Sequence, residues 1–168
     1  MSTERRIDRI TQPEYLDGLA DLPTEGVRAK LEECHEVETE VSFVRRLAQA
    51  RLEILRAEVT RRETGGSVED LIAALPKILG GDGPRTPPEQ SRLPRHLAPS
   101  MDIEWSRGLE HLVADDTLVN LPTIPDDELR GILEQLEEFE HETSQSRKAV
   151  HRVIDTLDLE VGSRHKVS

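Results

Sequence analysis

A shift of 102 residues lays one long stretch of this chain onto another without a gap, and that internal duplication limits what the chain can become. Pro23 meets Pro125, Arg28 meets Arg130, Leu31 meets Leu133 and Glu32 meets Glu134. Further on, Glu38 meets Glu140, Ser42 meets Ser144 and Arg45 meets Arg147, and Leu55, Glu58 and Val59 meet Leu157, Glu160 and Val161. Shared helical composition explains some matches among Leu and Glu. It does not explain the matched Pro, Ser and Arg.

Both copies read as long helices. In each, a proline stands at or before the first turn and acidic residues follow, which suits the exposed N–H groups of a helix start. Apolar residues then recur at spacings of three and four. In the first copy the line is Val27, Leu31, Cys34, Glu38, Val41, Arg45, Ala48, Leu52, Leu55, Val59. In the second it is Leu129, Leu133, Leu136, Glu140, Thr143, Arg147, Val150, Ile154, Leu157, Val161. This is heptad spacing, so the pattern predicts an all-α fold built on a two-helix coiled coil. A duplication with a long connection fits an antiparallel pair, although a connection of roughly 60 residues also allows a parallel one. Only 35% of the chain is hydrophobic and 2% aromatic, too little for a large globular core but enough for narrow seams.

The expected organisation follows. Residues 1–21 form a loosely structured N-terminal tail with a short helix near 13–20, and residues 22–62 the first coiled-coil helix. Gly65-Gly66 ends it, and Ser67 caps a short helix over 67–79, bent or shortened near Pro76. Residues 80–100, rich in Gly, Pro, Arg and Ser, read as a flexible linker. Residues 101–123, with Trp105, Leu109, Leu112 and Val113, read as a docking segment. The second coiled-coil helix spans 124–161, stopping at Gly162, and 162–168 is a tail.

Charge and composition exclude several classes of function. A net charge of -12 disfavours direct nucleic-acid binding, which needs clustered Lys and Arg, and suits a basic protein partner. The single cysteine, Cys34, permits no internal disulfide and fits a reducing cytoplasm. No apolar run approaches the roughly 18 residues that span a bilayer, and residues 1–6 lack the apolar core of a signal peptide. No nucleophile elbow, phosphate loop or cysteine cluster points to an enzyme. Glu32-x2-His35 and Glu138-x2-His141 look like the Glu-x-x-His pairs of di-iron bundles, but they fall at non-equivalent places in the repeat.

Both helical lines are faulted at the same places, by Glu38 and Arg45 and by Glu140 and Arg147. Burying such charges without partners costs several kcal/mol each, by order of magnitude. Small residues accompany the fault: Ser42, Ala48, Thr143, Ser144 and Ala149. One reading is cross-helix pairing, Glu38 with Arg147 and Glu140 with Arg45, which fixes register in a ligand-free scaffold. The other is a ligand site, because the polar set extends further. Glu38, Ser42, Arg45, Gln49 and Glu53 share one spacing with Glu140, Ser144, Arg147, His151 and Asp155: E-x3-S-x2-R-x3-[Q/H]-x3-[E/D]. At 100° per residue each set fills a sector of roughly 80° and a stripe about 22 Å long. A carboxylate accepts the paired N–H groups of a guanine edge. Arg donates as a fork to guanine O6 and N7 or to phosphate, and Ser adds a hydroxyl. A twofold-symmetric guanine dinucleotide satisfies both stripes, as does another anionic hydrogen-bonding ligand.

The paired stripe resembles the E-x3-S-x2-R-x3-Q-x3-D signature of the RsiG family of anti-sigma factors. The resemblance covers both long helices. It implies two antiparallel coiled-coil helices that bind a dimer of cyclic di-GMP and, so loaded, sequester the sporulation sigma factor WhiG. By position it implies ligand contacts from Glu38, Ser42, Arg45, Gln49, Glu53, Glu140, Ser144, Arg147, His151 and Asp155. Glu53 stands where the family has Asp, and His151 where Gln is usual. Arg46 and Lys148 match in charge and reach phosphates or face solvent. Phe43, Leu47, Ile54 and Phe139 form a second apolar set that covers the short helix or faces a partner.

Overall fold

The computed structural model describes residues 5–80 and 116–165. All regular structure among them is helical. Helix α1 spans Arg6–Ile10, α2 Thr24–Thr64, α3 Val68–Gly80, α4 Asp116–Val119 and α5 Asp126–His165. Short 3-10 turns cover Pro13–Leu16, Leu19–Asp21 and Leu121–Thr123. The long helices α2 and α5 pack against each other, as the heptad spacing predicts. Two compact units result: residues 1–44 with 142–168, and residues 45–141.

In the first unit the opening half of α2 runs antiparallel to the closing half of α5. Arg28 lies 3.0 Å from His165, and Arg147 lies 3.1 Å from Glu38. Val27, Cys34, Val37, Val41, Val150, Val153, Ile154 and Leu157 form its core. The N-terminal segment is docked here, contrary to the loose tail its composition suggests. Ile10 and Tyr15 are buried. The Tyr15 hydroxyl donates to Glu33 Oε2 at 2.9 Å, and Lys30 Nζ donates to the Tyr15 carbonyl at 2.8 Å. Arg6 pairs with Glu36 at 2.6 Å, and Arg9 with Glu33. Two apolar anchors and four such bonds outweigh a polar composition.

In the second unit the other halves run antiparallel too, with Arg56 2.7 Å from Glu137 and Arg130 3.2 Å from Glu63. Its core holds Ala48, Leu52, Leu55, Leu71, Leu121, Leu129, Leu136 and Phe139. Gly65, at φ +69°, turns the chain out of α2 in a conformation that L side chains rarely adopt. Ser67 and Asp70 then cap α3 reciprocally: Ser67 N–H donates to Asp70 Oδ2 at 2.9 Å and Asp70 N–H to Ser67 Oγ at 3.2 Å. Pro76 lies inside α3, which continues to Gly80 rather than ending early.

Three further expectations change. The second long helix passes Gly162, a site with nothing near its Cα hydrogen, and reaches His165. Phe139 is core at 3% exposure, whereas Phe43 is exposed, so they do not form one apolar set. The expected linker over 80–100 and the apolar part of the docking segment, Trp105, Leu109, Leu112 and Val113, lie outside the described residues, apart from Gly80 at the end of α3.

The duplication reaches further than the identities first suggest. Arg62 Nη1 donates to the Ile124 carbonyl at 2.7 Å and Nη2 to the Leu121 carbonyl at 2.9 Å, while its Nε holds Glu58 at 2.6 Å. In the other unit Arg164 does the same: to Leu22 O at 2.7 Å, to Leu19 O at 2.6 Å, and to Glu160 at 2.7 Å. Every partner in one set stands 102 residues from its counterpart. Each long helix thus begins with a 3-10 turn whose carbonyls are gripped by an arginine near the other helix's end.

Candidate functional site

The charged residues do not break the buried line. Val27, Cys34, Val41, Ala48 and Leu55 are all buried, at an unbroken spacing of seven, and so are Leu129, Leu136, Thr143, Val150 and Leu157. On α2 the second buried row is Val37, Val44, Arg51 and Glu58. Of the expected second row, Leu31, Glu38, Arg45 and Val59 are only half-buried, and Leu52 is buried. Glu38 and Arg45 therefore flank the seam, where water still reaches them. The three–four periodicity admits either row beside the first, and the extra contacts of the N-terminal segment favour the one carrying Val37.

In the first unit Glu38, Ser42, Arg147 and His151 come together. Ser42 Oγ donates to Glu38 Oε1 at 2.7 Å. Arg147 Nε donates to that same oxygen at 3.1 Å and to Ser42 Oγ at 2.8 Å. His151 Nε2 lies 3.2 Å from Glu38 Oε1. In the second unit Arg45 Nε lies 3.2 Å from Glu140 Oε1, and Gln49 Nε2 donates to that oxygen at 3.0 Å. The same acid and arginine thus recur in both units, each with a nitrogen-bearing side chain one turn on, at distances matching within 0.2 Å. Ser144 is half-buried, and Glu53 and Asp155 at the stripe ends are exposed. Arg46 and Lys148 are exposed as well.

The register-fixing pairs are accordingly formed. They are not sealed: the Glu38 and Glu140 side chains are each 21% exposed, and Arg45 and Arg147 30% and 36%. Pairs of this kind contribute about 0–1 kcal/mol each, because water competes for both partners. An incoming anion or guanine edge can replace either partner at small cost.

Burial pushes the Glu38 carboxyl up, but the Ser42 hydroxyl, Arg147 and His151 together pull it down, and it ends below the ordinary carboxylate value. Glu58 also lies below it, held first by Arg61 and then by Arg62 against the cost of burial. Glu40 is shifted the other way, burial outweighing Arg6. For Glu38 and Glu58 the charged form is favoured in the fold. Their contribution is complete above the unfolded value of about 4.3 and is lost as pH falls through the lower folded value. The urea midpoint of unfolding should therefore drop between about pH 5 and about pH 3. A midpoint that stays level over that range contradicts these placements.

Sequence reasoning missed the two arginine grips and the docking of Tyr15. The grips had a signal, since Arg62 and Arg164 are themselves 102 residues apart. Among the described residues, which include Glu32, His35, Glu138 and His141, no group of three or more His, Cys, Asp or Glu is placed to hold a metal ion.

Residues 13–79 match the RsiG-like family. This supports an RsiG-type protein, the family that the paired motif resembles. The match takes in the docked Tyr15 turn, α2 with the first motif copy, and α3. Helix α5 lies beyond the matched residues and is joined to them by the repeat. No curated protein matches the chain. No described helix is long and apolar enough to cross a membrane.

Proposed function

We propose that this protein is an anti-sigma factor, not an enzyme, that binds cyclic di-GMP through the ten residues of the paired motif. In that state it sequesters a WhiG-like sigma factor and represses its transcription programme, acting in the cytoplasm. The observation that carries this reading is the recurrence in both units of one acid, one arginine and one further nitrogen-bearing side chain with matched spacing. Two like polar sets suit a ligand that offers the same chemistry twice. Cyclic di-GMP does so, with two guanines and two phosphates, and a dimer of it does so again.

In this reading each acid accepts a guanine edge, and each arginine swings from its acid to guanine or phosphate. Ser42, Ser144, Gln49 and His151 serve phosphate or ribose. The ligand supplies negative charge and cross-helix bonds together, and so favours the ordered hairpin. Partner binding then rises only by the difference in ligand affinity between ordered and unordered forms, and the coupling is reciprocal. The acidic surface suits a basic partner.

The formed ion pairs favour a second reading, a ligand-free coiled-coil adaptor whose Glu and Arg only fix register. Calorimetric titration of the full chain with cyclic di-GMP separates the two, followed by co-purification with a WhiG-like sigma factor with and without nucleotide. Saturable binding and nucleotide-dependent capture are expected. Absence of heat at high nucleotide concentration, with the helical circular-dichroism signal intact, supports the adaptor and removes the proposal.

A further inference from the structure

The two polar sets differ at one chemically decisive place, which the repeat makes plain: Gln49 in the first copy is His151 in the second. Gln49 donates a hydrogen bond to Glu140 at 3.0 Å. His151 Nε2 lies at nearly the same distance from Glu38, 3.2 Å, and is closed off from solvent, yet it is not aligned to hydrogen-bond. A carboxamide keeps its donor at every pH. An imidazole has two states, and the protonated one carries a charge and two donors.

We propose that His151 is a proton-coupled ligand contact, which makes cyclic di-GMP binding tighten as pH falls through the imidazole range. The inference rests on the proposed reading of the site as a nucleotide site. Across from His151, α2 presents the Glu38 carboxylate and the uncharged Ser42 hydroxyl. On its own helix, Arg147 lies one turn before it and holds Glu38 at 3.1 Å, with Lys148 beside Arg147 and Asp155 one turn after. Of these, Glu38 faces the ring at 3.2 Å and is itself paired with Arg147, a set with one charge of each sign. An anionic phosphate added to that set tips the balance toward the imidazolium. By linkage, protonation must favour the phosphate to the same degree. Gln49, in its matching set, provides no such coupling.

The test is calorimetry of the full chain with cyclic di-GMP at about pH 6 and about pH 8, in two buffers of different ionisation enthalpy. The wild type should bind roughly tenfold more tightly at the lower pH, the consequence of a shift of about one pKa unit on binding, with net proton uptake seen in the buffer dependence. His151→Gln should remove both the pH dependence and the proton uptake, whatever its affinity at about pH 8. Gln49→His should steepen the dependence. If wild type and His151→Gln bind with the same pH dependence, or Gln49→His leaves the slope unchanged, the proposal fails while the nucleotide site stands. If neither wild type nor variants bind at either pH, the nucleotide reading fails and this inference goes with it.

Discussion

Arg45→Ala and Arg147→Ala should each weaken cyclic di-GMP binding on the order of a hundredfold while leaving the helical circular-dichroism signal nearly unchanged. The two effects come apart because each arginine sits at the edge of the seam. Its loss leaves Glu140 or Glu38 half-exposed rather than stranded in the core, so the cost to folding stays near that of a surface pair, about 0–1 kcal/mol. A ligand held by a guanidinium fork loses two charge-assisted bonds, roughly 3 kcal/mol, and about 1.4 kcal/mol corresponds to each tenfold in affinity. Paired calorimetry and circular dichroism read both quantities. A variant that binds nucleotide as tightly as the wild type would remove the arginines from the site. One that unfolds would return them to a purely structural role.

Leu157→Ala carries the largest expected loss of stability, about 2–5 kcal/mol, the usual range for truncating a buried leucine and leaving a cavity. Leu157 is fully buried in the first unit, and its counterpart 102 residues earlier, Leu55, is almost fully buried in the second. The repeat therefore predicts a similar cost for Leu55→Ala. Urea unfolding at neutral pH measures both. The exposed Leu159, two residues further along α5, provides the contrast. Leu159→Ala should fall within about 0.5 kcal/mol of the wild type. Losses of equal size at Leu157 and Leu159 would mean that α5 is rotated from the face described.

The helix pair and its all-α character could be read from the duplicated heptads, because five positions per helix at a spacing of seven leave little freedom in which face turns inward, whereas the antiparallel direction was one of two that the connection allowed. The second buried row could not. Val37 and Leu31 are equally good neighbours for the row of Val27 and Cys34, and Val37 is the one on the side where the docked N-terminal segment bonds α2 through Glu33 and Glu36. That docking depends on long-range bonds, from Tyr15 to Glu33 and from Arg6 to Glu36, which no local pattern announces. Phe139 was misread for a related reason. Its periodic position is ambiguous, and its burial reflects the same second row, since it stands 102 residues after Val37. The motif residues were legible because their types and spacing recur. Their mutual pairing was one of two readings the spacing allowed.

The grips of Arg62 and Arg164 fall on main-chain oxygens, and that choice of atom frees the sequence around them. An arginine that holds a carbonyl is indifferent to the side chain next to it, provided the bend keeps its shape. The turn reading Leu-Ala-Asp-Leu at 19–22 and the one reading Leu-Pro-Thr-Ile at 121–124 are clasped alike. Descendants of one ancestral segment can therefore drift apart in spelling at their entrances while each entrance stays clasped within its own unit.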